Sequence, residues 1–219
     1  MRKKWMQAVW AVIGIAALSS TIALAQGAVA PKKANASPAE TDVAASFYEA
    51  LNSSTSGTGT SQTPTNAMGG MFELRHIRSS MIGYELTYSF NPGDQSYKPL
   101  AGNCAYQCNN QPLTQTAGQN IFGFDWVFSK QYGALRPFAV GGLGLTATVP
   151  SSSAYAANNT VRPTYIFGGG VDFSLGEHLG VRAQVRDNFA KAPALSLYYS
   201  PTGAYMQTIQ PMGGVYYRF

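Results

Sequence analysis

The sequence predicts an all-β chain: a closed eight-stranded antiparallel transmembrane β-barrel, preceded by a cleaved signal peptide and a short linker. Three observations predict it. Eight stretches alternate apolar and polar residues with period two, their connections alternate long and short, and the charged side chains gather on one face of the alternation. Composition agrees. Of 219 residues, 45% are apolar and only 11% charged, against about a quarter in ordinary globular chains. With 23 Gly, 13 Tyr and 11 Phe, this excludes wholesale disorder and a charged helical bundle. The net charge of +5 does not imply a nucleic-acid partner, because Arg2, Lys3 and Lys4 lie in the first four residues and the other bases form no patch.

Those three bases open an export signal. An apolar run from Trp5 to Leu18 follows, then small residues ending in Ala23-Leu24-Ala25. Cleavage is expected after Ala25, because the second candidate, Ala28-Val29-Ala30, would place Pro31 just beyond the cut. The apolar core is shorter than the ~20 residues of a spanning helix, which argues against an uncleaved anchor. Residues 1–25 are therefore read as signal peptide, 26–41 as a flexible periplasmic segment rich in Ala, Pro, Lys and Ser, and 42–219 as the barrel. Export leads to an oxidising compartment. Cys104 and Cys108 are accordingly expected to form a small loop disulfide; a metal half-site would need a second ligand pair that the neighbouring sequence does not offer.

The strands are expected at Asp42–Asn52, Pro64–Ile77, Met81–Asn91, Gly118–Lys130, Ala134–Thr148, Val161–Ser174, His178–Phe189 and Tyr205–Phe219. In the third, Tyr84, Leu86, Tyr88 and Phe90 share one face and Gly83, Glu85, Thr87 and Ser89 the other. In the fourth, Phe122, Phe124, Trp126 and Phe128 oppose Gly123, Asp125 and Val127. In the seventh, Leu179, Val181, Ala183 and Val185 oppose Gly180, Arg182, Gln184 and Arg186. In the last, Ile209, Pro211, Gly213, Val215, Tyr217 and Phe219 oppose Thr208, Gln210, Met212, Gly214, Tyr216 and Arg218.

Alternation alone fits a soluble sandwich as well as a membrane barrel. The connections decide between them. Those after strands one, three, five and seven span roughly 11, 26, 12 and 15 residues, whereas Arg78-Ser79-Ser80, Gln131-Tyr132-Gly133 and the neighbourhood of Gly176-Glu177 are tight turns. Membrane barrels sort their connections in this way. The apolar face is dense with aromatics, while Glu73, Glu85, Asp125 and Asp172 run in phase with Arg75, Arg182 and Arg186, so these seven are expected to form an ion-pair network filling the lumen. A soluble barrel would carry such charges outside.

The segments Arg136-Pro137-Phe138 through Gly141-Gly142, Tyr165 through Gly168-Gly169-Gly170-Val171-Asp172-Phe173, and His178-Leu179-Gly180-Val181-Arg182, with Val215, Tyr217 and the terminal aromatic Phe219, carry a resemblance. From Asp42 to Phe219 the chain resembles the small eight-stranded outer-membrane barrels of the OmpA-transmembrane and OmpX-like group. The resemblance implies a bacterial outer-membrane location with loops extracellular and termini periplasmic, lipid as the surrounding partner, and recognition of Val215, Tyr217 and Phe219 by the barrel assembly machinery. It implies no wall anchoring, because a C-terminal peptidoglycan-binding domain is missing from the pattern.

No catalytic, cofactor-binding or metal residue is identified. Gly141-Gly142 with Gly144, and Gly168-Gly169-Gly170, are not placed between a strand and a helix, so they are read as wall glycines and not as phosphate cradles. Some barrels of this size modify lipid A through a histidine at the outer rim, but His76 and His178 both fall beside short turns. A monomeric, non-enzymatic barrel with a structural or surface-interaction role is expected. Its external loops, which hold Pro99, Pro112, Pro150, Pro193 and Pro201, would present any surface for an extracellular ligand. A narrow channel or transporter is the alternative, and a lipid-modifying enzyme the more distant one.

Overall fold

The computed structural model describes residues 39–79, 81–100, 113–151, 159–196 and 199–219. Ten strands lie among them: β1 (Glu40–Asn52), β2 (Thr55–Gly57), β3 (Thr60–Pro64), β4 (Ala67–Ile77), β5 (Ile82–Pro99), β6 (Leu113–Ser129), β7 (Leu135–Pro150), β8 (Thr160–Ser174), β9 (Leu179–Lys191) and β10 (Tyr205–Arg218). Eight of them, all but β2 and β3, form a closed antiparallel barrel. Neighbouring strands pair in chain order, and β1 closes the ring against β10 from Asp42↔Arg218 to Asn52↔Thr208. Closure removes the sheet edges that would leave backbone groups unpaired in lipid.

The period-two reading survives in three dimensions. Tyr84, Leu86 and Phe90 of β5, Phe122, Phe124, Trp126 and Phe128 of β6, and Leu179 and Val181 of β9 are exposed on the outside. Their neighbours Glu85, Asp125 and Arg182 are buried inside. A soluble fold would not expose this much aromatic surface; a barrel in a bilayer must. Polar residues also occupy outward positions near the long-connection end: Asp187 of β9 and Gln207 of β10 are outward, and Gln207 Nε2 donates to Asp187 Oδ2 at 2.7 Å.

The ends of the elements differ from the sequence reading. β1 starts at Glu40, two residues inside the stretch read as a flexible linker. The first long connection is not plain loop, since Thr55–Gly57 and Thr60–Pro64 form a hairpin that adds to β5 through Thr60↔Pro99 to Pro64↔Gln95. Its turn residues Thr58 and Gly59 have φ of 47° and 79°, the two successive left-handed positions of a tight hairpin turn. The second long connection is shorter than expected, because β5 and β6 stay paired past Pro92↔Gly118 up to Tyr97↔Leu113. Pro99 and Pro150 close β5 and β7 and are not loop residues. These polar extensions escape period-two analysis because their alternation is of Ser, Thr and Gln and not of apolar against polar.

The last connection folds over its end of the barrel. Leu195 is buried against Tyr97 and Ala117, with Tyr199 packed beside them. The Pro193 carbonyl accepts from Tyr97 Oη at 3.2 Å, and the hydroxyls of Thr55 and Thr202 lie 3.2 Å apart. Burial pushes the Tyr97 phenol up to about 12, so it stays a neutral donor at any physiological pH.

Candidate functional site: the lumen

The inward face of the barrel is a polar core. Seven sequence-selected residues, Glu73 and Arg75 of β4, Glu85 of β5, Asp125 of β6, Asp172 of β8, and Arg182 and Arg186 of β9, come together inside it, each side chain no more than 2% exposed. Arg186 Nη1 donates to Glu85 Oε1 at 2.7 Å, and its Nη2 reaches Asp125 Oδ2. Glu85 Oε2 accepts from Arg75 Nε at 2.6 Å, and Arg75 Nη1 donates to Asp172 Oδ2 at 3.2 Å. Arg182 then gathers three carboxylates: Asp172 Oδ1 at 2.7 Å, Glu73 Oε2 at 2.8 Å and Asp42 Oδ1 at 3.0 Å. The result is a continuous ionic layer from the β6 wall to the β1 wall.

Neutral groups complete it. Gln184 Nε2 and Ser46 Oγ both donate to Glu73 Oε1, at 2.8 and 3.1 Å. The Phe138 ring lies under the Arg75 and Arg182 guanidiniums, 4.1 and 5.6 Å from its centroid, and Tyr216 flanks Arg182 at 5.3 Å. Flat guanidinium groups accept such faces while their edges keep the carboxylates. Charges removed from water this completely need these partners, since an unpaired ion at the same depth costs several kcal/mol or more.

The layer is sealed on both sides. Toward the short turns, Ile77, Val127, Phe138 and Val140 form an apolar cluster, and Arg136 Nη2 bonds Glu40 beyond it. Toward the long connections lie Tyr48, Ala50, Met71 and Met212, then the cap around Leu195.

Sequence reasoning missed Asp42, the third acid of Arg182, and the Arg136–Glu40 pair. A signal for Asp42 existed, because it alternates in phase with the inward residues Ala44 and Ser46 of the same strand. Val215, Tyr217 and Phe219 form one exposed outward column, with Tyr217 and Phe219 ring centroids 5.3 Å apart. His76 and His178 sit at the short-turn end, where His178 stacks on Tyr217 at 5.6 Å and His76 Nδ1 lies 2.9 Å from Thr41 Oγ1. Cys104, Cys108 and Pro112 lie outside the described residues, as do residues 1–38, which include the stretch read as signal peptide and most of the stretch read as linker.

No protein-family model matches the sequence, and a search of curated proteins finds no match. Solved structures do resemble it. Neisserial surface protein A superposes with a TM-score of 0.53 at 11% identity, over 84% of this chain and 99% of that one. Ail, the attachment invasion locus protein of Yersinia pestis, in complex with the heparin analogue sucrose octasulfate, superposes with a TM-score of 0.50 at 13% identity, over 84% of this chain and 100% of that one. Identities so low speak for the fold and for nothing finer. By wall, strand number and closure, this chain has the fold of the small eight-stranded outer-membrane β-barrels.

Proposed function

We propose that the protein is a non-enzymatic barrel of the bacterial outer membrane with a structural or surface-contact role. In this reading the long connections are extracellular, the short turns periplasmic and the lumen permanently plugged. The observation that carries it is the ionic layer across the lumen, whose guanidiniums and carboxylates pair with one another with side chains at most 2% exposed. Eight strands leave an interior that side chains can fill, and here they do. A solute path would require pulling several of these pairs apart at once. In planar bilayers the intact protein is expected to show little or no steady conductance. A stable, large, weakly selective current would contradict the reading and put transport in its place.

The contact surface is electrically balanced. The long-connection end holds Lys98, Arg162 and Lys191 and the equal number of acids Glu49, Asp94 and Asp187, and the sequence places no charge in the connections themselves. Ail was captured with a polysulfated ligand; this end lacks the cationic excess such a ligand needs, so a neutral partner fits it better. Replacing the wall-end aromatic is the test of the assembly role given to Val215, Tyr217 and Phe219. Phe219→Ala is expected to lower the amount of barrel reaching the membrane, while the detergent-folded variant keeps its unfolding midpoint, because the ring is 71% exposed and the bond from the Phe219 N–H to the Thr41 carbonyl is kept. Unchanged insertion kinetics in cells would count against that role.

A further inference from the structure

The hairpin β2–β3 and the upper parts of β5 and β6 form a small sheet that continues the wall beyond its apolar belt. On β5 the outward positions pass from Tyr88 and Phe90 to Asp94, Ser96 and Lys98, and on β6 from Phe122 to Thr116 and Thr114. β5 runs on for eight residues from Pro92 to Pro99, about 25 Å of strand. Its inward face is closed, since Gln62, Gln95 and Tyr97 are buried beneath the cap. Only the outward face is available.

That face is made of hydroxyls. Ser56, Ser61, Thr63, Ser96, Thr114 and Thr116 cover four adjacent strands in register, through Ser56↔Ser61, Thr63↔Ser96 and Ser96↔Thr114. Two of the pairs touch, Ser56 with Ser61 at 3.3 Å and Ser96 with Thr114 at 3.4 Å between oxygens. One lysine and one aspartate, Lys98 and Asp94, are its sole charges among the described residues. A sheet face meant only for water normally carries mixed Lys and Glu, which also guard against strand pairing. A lipid face would be apolar, and a phosphate site would carry a cationic excess.

We propose that this face docks the neutral sugars of glycolipids in the same leaflet as the long connections. The inference rests on the outer-membrane reading above. The strands leave the hydrocarbon layer and enter the headgroup layer as one continuous outward face, so the groups beside this sheet are the sugars of neighbouring lipids. Serine and threonine both donate and accept, as sugar hydroxyls do, and the balanced charge lets uncharged hexoses approach without desolvating an ion. Among the described residues the face has no aromatic platform, so recognition is by hydrogen bonding and depends on many weak contacts held in register.

The test uses the full chain folded in neutral detergent micelles. Titration with an outer-leaflet glycolipid bearing its complete core saccharide is compared with the same lipid trimmed to its phosphorylated anchor. The complete lipid is expected to bind about tenfold more tightly, the effect of one or two net hydrogen bonds. The combined variant Thr63→Val, Ser96→Ala, Thr114→Val is expected to abolish that difference. Should it fail to fold, Ser56→Ala with Ser61→Ala is expected to reduce the difference. Equal binding of the two lipids by the wild-type barrel overturns the proposal, as does a full tenfold preference in the folded variants. Free core saccharide competing as well as the lipid would assign the face to soluble glycans and overturn it too. Labelling of Ser200→Cys, exposed in the last long connection and off this face, on whole cells by an impermeant thiol reagent, above the wild-type background, reports orientation separately. Absence of label shows that the outer-membrane reading itself has failed.

Discussion

Arg182→Met is expected to lower the unfolding free energy of the barrel by about 3–5 kcal/mol. Arg182 is the cation common to Asp42, Glu73 and Asp172, at 2.7 to 3.0 Å. Methionine fills much of the same volume but leaves Asp42 without an ion-pair partner and Glu73 with Arg75 only at 3.8 Å. The loss is one of unpaired charge and not of packing. Urea unfolding of detergent-folded protein at neutral pH measures it, and Arg182→Lys should recover part of the stability, because it restores the charge without the fork that spans three acids. A midpoint unchanged by Arg182→Met would show that the side chain is not the cation these acids depend on, and a raised midpoint would show that it faces lipid, where removing an arginine should stabilise the barrel. The same variant is expected to unfold before it conducts, since the apolar cluster and the cap still close the lumen.

The second large effect is expected from a single methyl group. Gly142 of β7 lies opposite Asp125 in the ladder. A Cβ built there would sit 2.1 Å from the Phe124 carbonyl oxygen, 2.4 Å from Asp125 Oδ1 and 2.6 Å from Asp125 Cα. Two of those three atoms are backbone, so rotamer change cannot relieve the overlap, and the wall itself must shift. Gly142→Ala should therefore destabilise by about 1–3 kcal/mol. Gly141→Ala is the control. Its Cβ would meet only Phe167 Cδ1 at 3.9 Å, an ordinary contact, and its unfolding midpoint should stay close to wild type. Equal effects at the two neighbouring glycines would mean that β7 has a different inward and outward phase from the one described.

Several features are legible in the residue order alone. Period two is a property of each strand by itself, so Tyr84, Leu86 and Phe90 could be assigned outward and Glu85 inward from their order alone. The membrane character of the wall was equally local, for it needed only aromatics on one face and ions on the other. The seven lumen residues were selected in this way, and each is buried inside the barrel. What failed to show was structure without hydrophobic contrast. β2, β3 and the outer parts of β5 and β6 alternate Ser and Thr with Gln and Tyr, and their pairing depends on a ladder continuing past the membrane belt. Pro99 and Pro150 reinforce the loop reading, yet they close β5 and β7.

Strand identity, inward or outward phase and the sorting of connections therefore follow from residue order, because each is decided within a few neighbours along the chain. Partner choice inside the lumen does not. Arg182 meets Asp42 across 140 positions and Glu73 across 109, while Arg75 meets Asp172 across 97. Those meetings are set by the tilt and stagger at which eight strands close, which bring residues of opposite walls to one height. Asp42 joins the network and Leu195 seals the end for the same reason: ring closure, and not local pattern, determines which inward side chains share a level.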